Sequence, residues 1–386
     1  MEGGVMRKIG IITILKVNNY GAELQAYATQ CILNKLGWSA EIIDYLFYKN
    51  PEFKKTKMAR PLFPMGNGKW LKEHLFPILN GMRELRYAKS NKVRKERFAR
   101  FHRENTALSK TFKSMDELYR ATFDYDVYMV GSDQVWNPGI YSSLEPYFLT
   151  FAPKGKKRVS YASSFGVSDI PEVAKPFYRK QLAEFSAISV RENTAVDLVK
   201  QLSGRDAQWV LDPTLLLSAA AWRQVCSDRY NDLPPFVLVY ELTPCAYIAE
   251  LAKYIAKEKK LSIVRICKSA AREDENSDFL DVVDAGPAEF LELFGKAAFI
   301  VTNSFHGTAF SINFNKSFYT VIPHRKKNNS RQQSLLGMLD LKERMIWENS
   351  EYPDLNEGID YTHVNMLLDT ERDKSIKYLK EAIDGK

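Results

Sequence analysis

The chain has 386 residues, 45% hydrophobic and 26% charged, which is the composition of a folded globular protein long enough for two domains. It has no apolar run near the ~18 residues a membrane span needs and no secretory h-region. Its four cysteines (Cys31, Cys226, Cys245, Cys267) stand far apart with no CxxC, so a zinc ribbon and a disulfide framework are also excluded, and the expectation is a protein of the reducing cytoplasm.

The first element is a strand over Arg7–Leu15, followed by a polar loop, a helix over Gly21–Leu36 that Gly37 stops, and a strand over Ala40–Tyr45. Such a strand–helix–strand opening calls for a parallel sheet. Phe47–Trp70, rich in Lys, Pro and aromatics, reads as a long loop or lid. The net charge of +8 is uneven: nine Lys/Arg face only Glu84 and Glu96 between Arg83 and Arg103. Leu85, Val93, Phe98 and Phe101 give that segment an apolar stripe, so residues 82–105 read as a basic amphipathic helix suited to an anionic surface.

A capping-box spacing, Ser-Met-Asp-Glu at 114–117, opens a helix over Ser114–Ala121. Strands are predicted at Tyr125–Val130, Arg158–Ser163 and Ala187–Val190, with helices over Pro171–Ser186 and Thr194–Leu202. The polar stretch Ser227–Pro235 reads as a linker, and the α/β alternation then restarts. Strands at Phe236–Glu241, Ser262–Cys267, Ala298–Val301 and Ser317–Ile322 alternate with helices near Tyr247–Lys257, over Pro287–Lys296 and from Phe305, and a last helix ends near Ile383. The reading is two α/β domains, 1–226 and 235–386, the first carrying the basic helix and the second the closing helix.

Polar residues recur just past the strands. Asn18-Asn-Tyr-Gly-Ala-Glu-Leu-Gln25 occupies the place of a dinucleotide loop but has a single glycine, and no Walker A, HExxH or Gly-x-Ser-x-Gly occurs. Asp133 and Trp136 follow the strand ending at Val130, and Arg191 follows the one ending at Val190; its guanidinium is suited to fork onto a carboxylate or phosphate. After the strand ending at Val301, Ser304 is a natural N-cap, which puts His306 and Gly307 in the first turn of a helix. Ligands of open α/β sheets bind at that edge, and helix N-termini favour anions. His324-Arg-Lys-Lys327 adds a basic loop nearby.

Val-Gly-Ser-Asp-Gln-Val-Trp-Asn at 130–137, Ser-Tyr-Ala-Ser-Ser-Phe-Gly at 160–166, Ser-Val-Arg-Glu at 189–192, Asp-Pro-Thr at 212–214 and Thr-Asn-Ser-Phe-His-Gly-Thr at 302–308 come in the order found in the polysaccharide pyruvyl transferase family, and Asn-Tyr-Gly-Ala-Glu-Leu-Gln-Ala at 19–26 is similar to the opening of its bacterial members. The chain resembles that family over roughly residues 8–325. The resemblance implies a GT-B-like α/β fold of two Rossmann-like domains with an interdomain cleft. It also implies transfer of a pyruvyl group from phosphoenolpyruvate to two hydroxyls of a sugar in a surface or capsular polysaccharide, or its lipid-linked precursor. By motif matching, His306 is the catalytic histidine and Arg191 a donor-binding arginine.

With that reaction in view, Asp133 is the second catalytic candidate, as a base on an acceptor hydroxyl. Ser304, Gly307, Thr308, His324 and Arg325 are candidates for donor binding, and Asn19, Tyr20, Glu23, Gln25, Trp136 and Asn137 for acceptor binding. Several family members carry Arg-Leu-His where this chain has Ser304-Phe305-His306, so His324, Arg325 or Lys326 is expected to replace a missing cation. No metal and no cofactor is expected, phosphoenolpyruvate being a substrate. The expected partners are the donor, a sugar or lipid-linked glycan and, through the basic helix, the inner membrane surface, without nucleic acid. The alternative is a GT-B-type glycosyltransferase using a nucleotide sugar.

Overall fold

The computed structural model describes residues 6–59, 62, 88–140, 144–267, 278–324 and 329–385. In chain order the elements are β1 Lys8–Ile12, α1 Tyr20–Lys35, β2 Ser39–Ile42, α2 Ala88–Asn105, α3 Met115–Arg120, β3 Val127–Val130, β4 Lys157–Ser160, α4 Lys175–Ala183, β5 Ser189–Val190, α5 Asn193–Ser203, β6 Gln208–Trp209, α6 Pro213–Leu216 and α7 Ala219–Arg223. The second half continues with β7 Phe236–Tyr240, α8 Ala246–Lys259, β8 Ser262–Ile266, β9 Phe279–Val282, α9 Pro287–Lys296, β10 Phe299–Thr302, α10 Phe305–Asn313, β11 Ser317–Ile322, α11 Ser330–Met338, β12 Met345–Trp347 and α12 Tyr361–Asp384. No helix of the described residues is long and apolar enough to cross a membrane.

Every strand pairing among the described residues is parallel. The central strands are correspondingly apolar and enclosed on both faces, as parallel sheets covered by helices must be; β3 (Val-Tyr-Met-Val) and β7 (Phe-Val-Leu-Val-Tyr) have no exposed residue. One sheet has the order β2-β1-β3-β4, with the β5–β6 pair joined to its neighbours by single bridges at Val159–Ala187 and Ser163–Val190. The other has the order β9-β8-β7-β10-β11-β12. Counted from its own first strand that order is 3-2-1-4-5-6, the doubly wound Rossmann arrangement. The protein is thus an α/β chain of two Rossmann-like units with parallel sheets.

The boundaries differ from those expected. One unit comprises 1–65, 105–217 and 369–386, the other 66–104 and 218–368. The break precedes Ser218 rather than following Cys226 because Trp222 is fully buried against Phe310, 5.2 Å between rings, in the core of the second unit. The closing helix α12 ends in the first unit. There Arg372 Nε donates to the Leu215 carbonyl (2.7 Å), Ser375 Oγ accepts from Leu211 N (3.0 Å) and the Tyr378 hydroxyl donates to the Ser160 carbonyl (2.9 Å).

The basic helix, expected with the N-terminal half, belongs to the second unit. Phe98 and Phe101 are buried as its stripe predicts, but part of its charge also turns inward. Arg94 donates to the Cys267 carbonyl (3.3 Å), and Arg97 pairs with Asp284 (3.1 Å) and Glu289 (3.4 Å). Gly286 permits this docking: a Cβ there would lie 2.5 Å from Arg97 Cβ.

Candidate active site

In the second unit the strand order reverses between β7 and β10, and the loops leaving their carboxyl ends frame the position where sheets of this order bind ligands. Thr302 and Asn303 tie the two loops together. Thr302 Oγ1 donates to the Tyr240 carbonyl (2.5 Å) and accepts from Ser304 N (3.1 Å). Asn303 Oδ1 accepts from Leu242 N (2.8 Å), while its Nδ2 donates to the Thr243 carbonyl (2.7 Å). From the far side Gln332 Nε2 donates to the Asn303 carbonyl (3.4 Å).

Ser304 is the N-cap of α10, as the sequence predicts, its Oγ accepting from Gly307 N at 3.2 Å. All nine residues of α10 are buried, so the helix is a central element without a solvent face. Thr308 Oγ1 donates to the Ser304 carbonyl (3.1 Å) and lies 2.7 Å from Thr320 Oγ1 on β11. Gly307 is required by the strand beneath it: a Cβ would stand 2.3 Å from Thr302 Oγ1. His306, 7% exposed, therefore sits in the first turn of a helix pinned at both its cap and its underside. Its ring meets Phe305 edge-on, 5.2 Å between centroids. A rigidly held imidazole at the edge of a ligand position is placed for proton transfer to a bound molecule.

In the first unit the reversal falls between β1 and β3. Thr13 Oγ1 donates to the Ser132 carbonyl (2.9 Å) and accepts from Gln25 Nε2 (2.9 Å). Beside them lies a buried ionic cluster. The Arg191 side chain, 1% exposed, places a guanidinium nitrogen 2.7 Å from Asp212 Oδ2, another 3.5 Å from Asp133 Oδ1, and Nε 4.0 Å from Glu192 Oε1. Burial opposes its charge, but Asp212, Glu192 and Asp133 outweigh that, and the guanidinium is held above its ordinary range. Ser164 hydrogen-bonds Glu192, Ser132 Oγ donates to Asp212 Oδ2 (2.9 Å), and Thr214 Oγ1 donates to Asp212 Oδ1 (2.7 Å). Asp133 is left-handed at φ 71°, and its side chain is 14% exposed. Arg191, expected to hold the donor, is thus enclosed among carboxylates of its own unit.

Four of the residues expected to bind the acceptor are buried. Trp136 is wholly buried: its ring stacks on Phe148 (5.5 Å, 9°) and its Nε1 donates to the Tyr147 carbonyl (3.0 Å). Tyr20, Glu23 and Gln25 are buried as well, and Glu23 accepts from the backbone of Lys16 (3.4 Å) and Val17 (3.2 Å). These polar side chains hold the β1–α1 loop; order along the chain did not reveal that they face inward. Asn19 caps α1 through Gly21 N (3.0 Å) and Ala22 N (3.4 Å). Asn137, half-buried, donates to Gln134 Oε1 (2.8 Å) and accepts from Gly139 N (2.7 Å).

His324 lies past the end of β11, exposed, its backbone N–H donating to Glu348 Oε2 (2.9 Å) and its ring nearly parallel to that of Trp347 (6.3 Å, 16°). Arg325 and Lys326 lie outside the described residues. Sequence reasoning missed Gln332 and Glu348, which reach the site from α11 and the end of β12; no local pattern announces contacts that span so much chain. Among the described residues no cluster of three His, Cys, Asp or Glu is placed to hold a metal ion.

Comparison with functionally curated sequences finds no match. Among solved structures the chain is similar to the UDP-GlcNAc 2-epimerase of Methanocaldococcus jannaschii, at 11% identity and TM-score 0.49 over 94% of this chain and 92% of that one. It is also similar to the UDP-GlcNAc 2-epimerase of Neisseria meningitidis bound to UDP-GlcNAc (10%, TM-score 0.46, 98% and 94%). A third is an alpha-glucosyltransferase in complex with UDP and a 13-mer DNA (10%, TM-score 0.44, 97% and 95%). The family profile described as polysaccharide pyruvyl transferase matches residues 19–325, a span that includes the β10–α10 corner with His306 and the Arg191 cluster. The chain belongs to the polysaccharide pyruvyl transferase family.

Proposed function

We propose that this protein transfers a pyruvyl group from phosphoenolpyruvate to two hydroxyls of a sugar unit of a polysaccharide or of its carrier-linked precursor, releasing phosphate. The observation that carries this reading is the placement of His306: the first turn of α10, at the carboxyl end of β10, beside the reversal of a 3-2-1-4-5-6 sheet. Ketal formation needs a proton on the methylene carbon of the donor, attack of one hydroxyl on the adjacent carbon, departure of phosphate, and attack of the second hydroxyl. The atoms balance: one hydroxyl proton ends on the new methyl group and the other on phosphate. His306 is the proton donor in the first step and the acceptor of a hydroxyl proton afterwards. The first-turn amides and dipole of α10 favour an anionic donor. Asp133 is the first unit's candidate base, and Arg191 acts by fixing that carboxylate. No cofactor enters this scheme.

The test is incubation with phosphoenolpyruvate and a panel of free and carrier-linked sugars, read by phosphate release and by the mass gain of the glycan. Ketal product with stoichiometric phosphate is the expected result, and His306→Ala should lower kcat at least ~100-fold. Near-normal ketal formation by that variant would remove His306 from the role. Consumption of a nucleotide sugar with release of a nucleotide, and none of phosphoenolpyruvate, would establish the glycosyltransferase alternative instead.

A further inference from the structure

The donor in this reading carries a carboxylate and a phosphate, yet the first turn of α10 itself supplies Ser304, Phe305, His306 and Gly307 and no permanent cation. Several family members carry Arg-Leu-His where this chain has Ser304-Phe305-His306. Both differences have a structural consequence. Ser304 takes the capping role, its Oγ occupied by Gly307 N, and Phe305 puts an aromatic face where a leucine would have none. Over that face lies the guanidinium of Arg331, 5.9 Å from the ring centroid. Arg331 stands near the start of α11, half-buried, next to Gln332, whose amide reaches the Asn303 carbonyl at 3.4 Å. The start of α11 is thereby tied to the same strand end that carries His306.

We propose that Arg331 binds the anionic donor in this chain, supplying from α11 the cation that several family members carry two residues before the histidine. The geometry suits the task. A guanidinium within about 6 Å of a ring centroid is attracted to the ring, and its N–H donors lie in its own plane. Those donors are the ones that fork onto a carboxylate or phosphate. Arginine in place of lysine follows: an ammonium could sit over Phe305 but could not offer two parallel donors. Phe305 is in turn fixed, 4% exposed and one residue before His306, so the cation over it and the imidazole adjoin a single helical turn. Position 331 is distant from the 302–308 motif in sequence, which is why the motif alone leaves the cation unassigned.

This inference rests on phosphoenolpyruvate being the donor, so binding is measured apart from turnover. Wild-type protein, Arg331→Met, Arg331→Lys and Phe305→Leu are titrated calorimetrically with phosphoenolpyruvate, and KM for donor and acceptor is determined for each. Arg331→Met should weaken phosphoenolpyruvate binding and raise its KM about tenfold or more, while the acceptor KM moves less than twofold. Arg331→Lys and Phe305→Leu should fall in between, the first losing the fork and the second the platform. Wild-type binding of phosphoenolpyruvate with Arg331→Met within twofold of it would overturn the assignment to Arg331 and leave the reaction untouched. A wild-type protein that neither binds nor consumes phosphoenolpyruvate would overturn the reaction itself, and this assignment with it.

Discussion

Around Arg191, the buried carboxylates of Asp212 and Glu192 and the partly exposed one of Asp133 share one guanidinium, with Ser132, Ser164 and Thr214 taking part of the remaining hydrogen-bonding capacity. An arginine at the end of a strand invites the reading of a ligand clamp, and its position in the Ser-Val-Arg-Glu motif was legible in the sequence. That its charge is consumed by Asp212, Asp133 and Glu192 was not, because Asp133 and Asp212 arrive from other strand ends. Removing a buried partner costs far more than removing a surface ion pair, since the remaining charges stay desolvated. Arg191→Met is therefore expected to lower unfolding free energy by about 3–5 kcal/mol, measured by urea denaturation near neutral pH. Arg191→Lys, which keeps the charge but not the fork, should recover part of that loss. A variant as stable as wild type would show that the cluster does not support the fold.

The β10–α10 corner is the element in which sequence and structure agree best. An apolar run ends at Val301, Ser304 follows as a cap, and the helix begins at Phe305 as that pattern predicts. The spacing did not reveal that α10 has no exposed face, because an amphipathic reading looks for only one buried stripe. Its enclosure makes Gly307 a packing requirement: Thr302, against which a Cβ would press, is itself held by the Tyr240 carbonyl and cannot turn aside. Gly307→Ala should cost roughly 1–3 kcal/mol by overpacking. Gly295, inside α9, is the contrasting case: a Cβ there meets only Phe314, at 3.7 Å. Gly295→Ala should be neutral or raise stability by up to about 1 kcal/mol, through lower unfolded-chain entropy. Thermal melts of the two variants side by side separate a glycine demanded by packing from one that is merely tolerated. By contrast β12, three residues at a sheet edge, carries too short a pattern to be read, and it was found only through its pairing with β11.

Across the whole molecule, burial leaves a mark on the titration of weak acids. Cys226 and Cys267 are pushed up to about 12 and Cys245 to about 11, each mainly by burial. Tyr147, Tyr161 and Tyr178 are raised well above the ordinary tyrosine range, again by burial. These groups stay protonated in the folded chain, while in the unfolded chain they ionise near their usual values of 9.0 and 10.0. Their contribution to stability is therefore complete below about pH 9 and is lost as the pH rises from there towards 12. Urea midpoints should be level between pH 7 and about 8.5 and fall steadily above about 9.5. At pH 8.5 Cys245 and Cys267 should resist iodoacetamide until denaturant is added; rapid native labelling of both would contradict their burial.

The sequence by itself determined what local forces decide: the alternation of apolar strands and capped helices, the parallel sheets, and the polar strand ends that carry the family's ordered motifs. Those features depend on neighbours a few residues apart, where periodicity and capping operate. Tertiary structure alone decided which polar side chains face inward, as with Trp136, Glu23 and Gln25. It also joined helix α2 to the second unit and residues 369–385 to the first, and brought Arg331 over Phe305. Each of those outcomes depends on packing between segments distant in the chain, and no short-range pattern encodes which distant surface a side chain will meet.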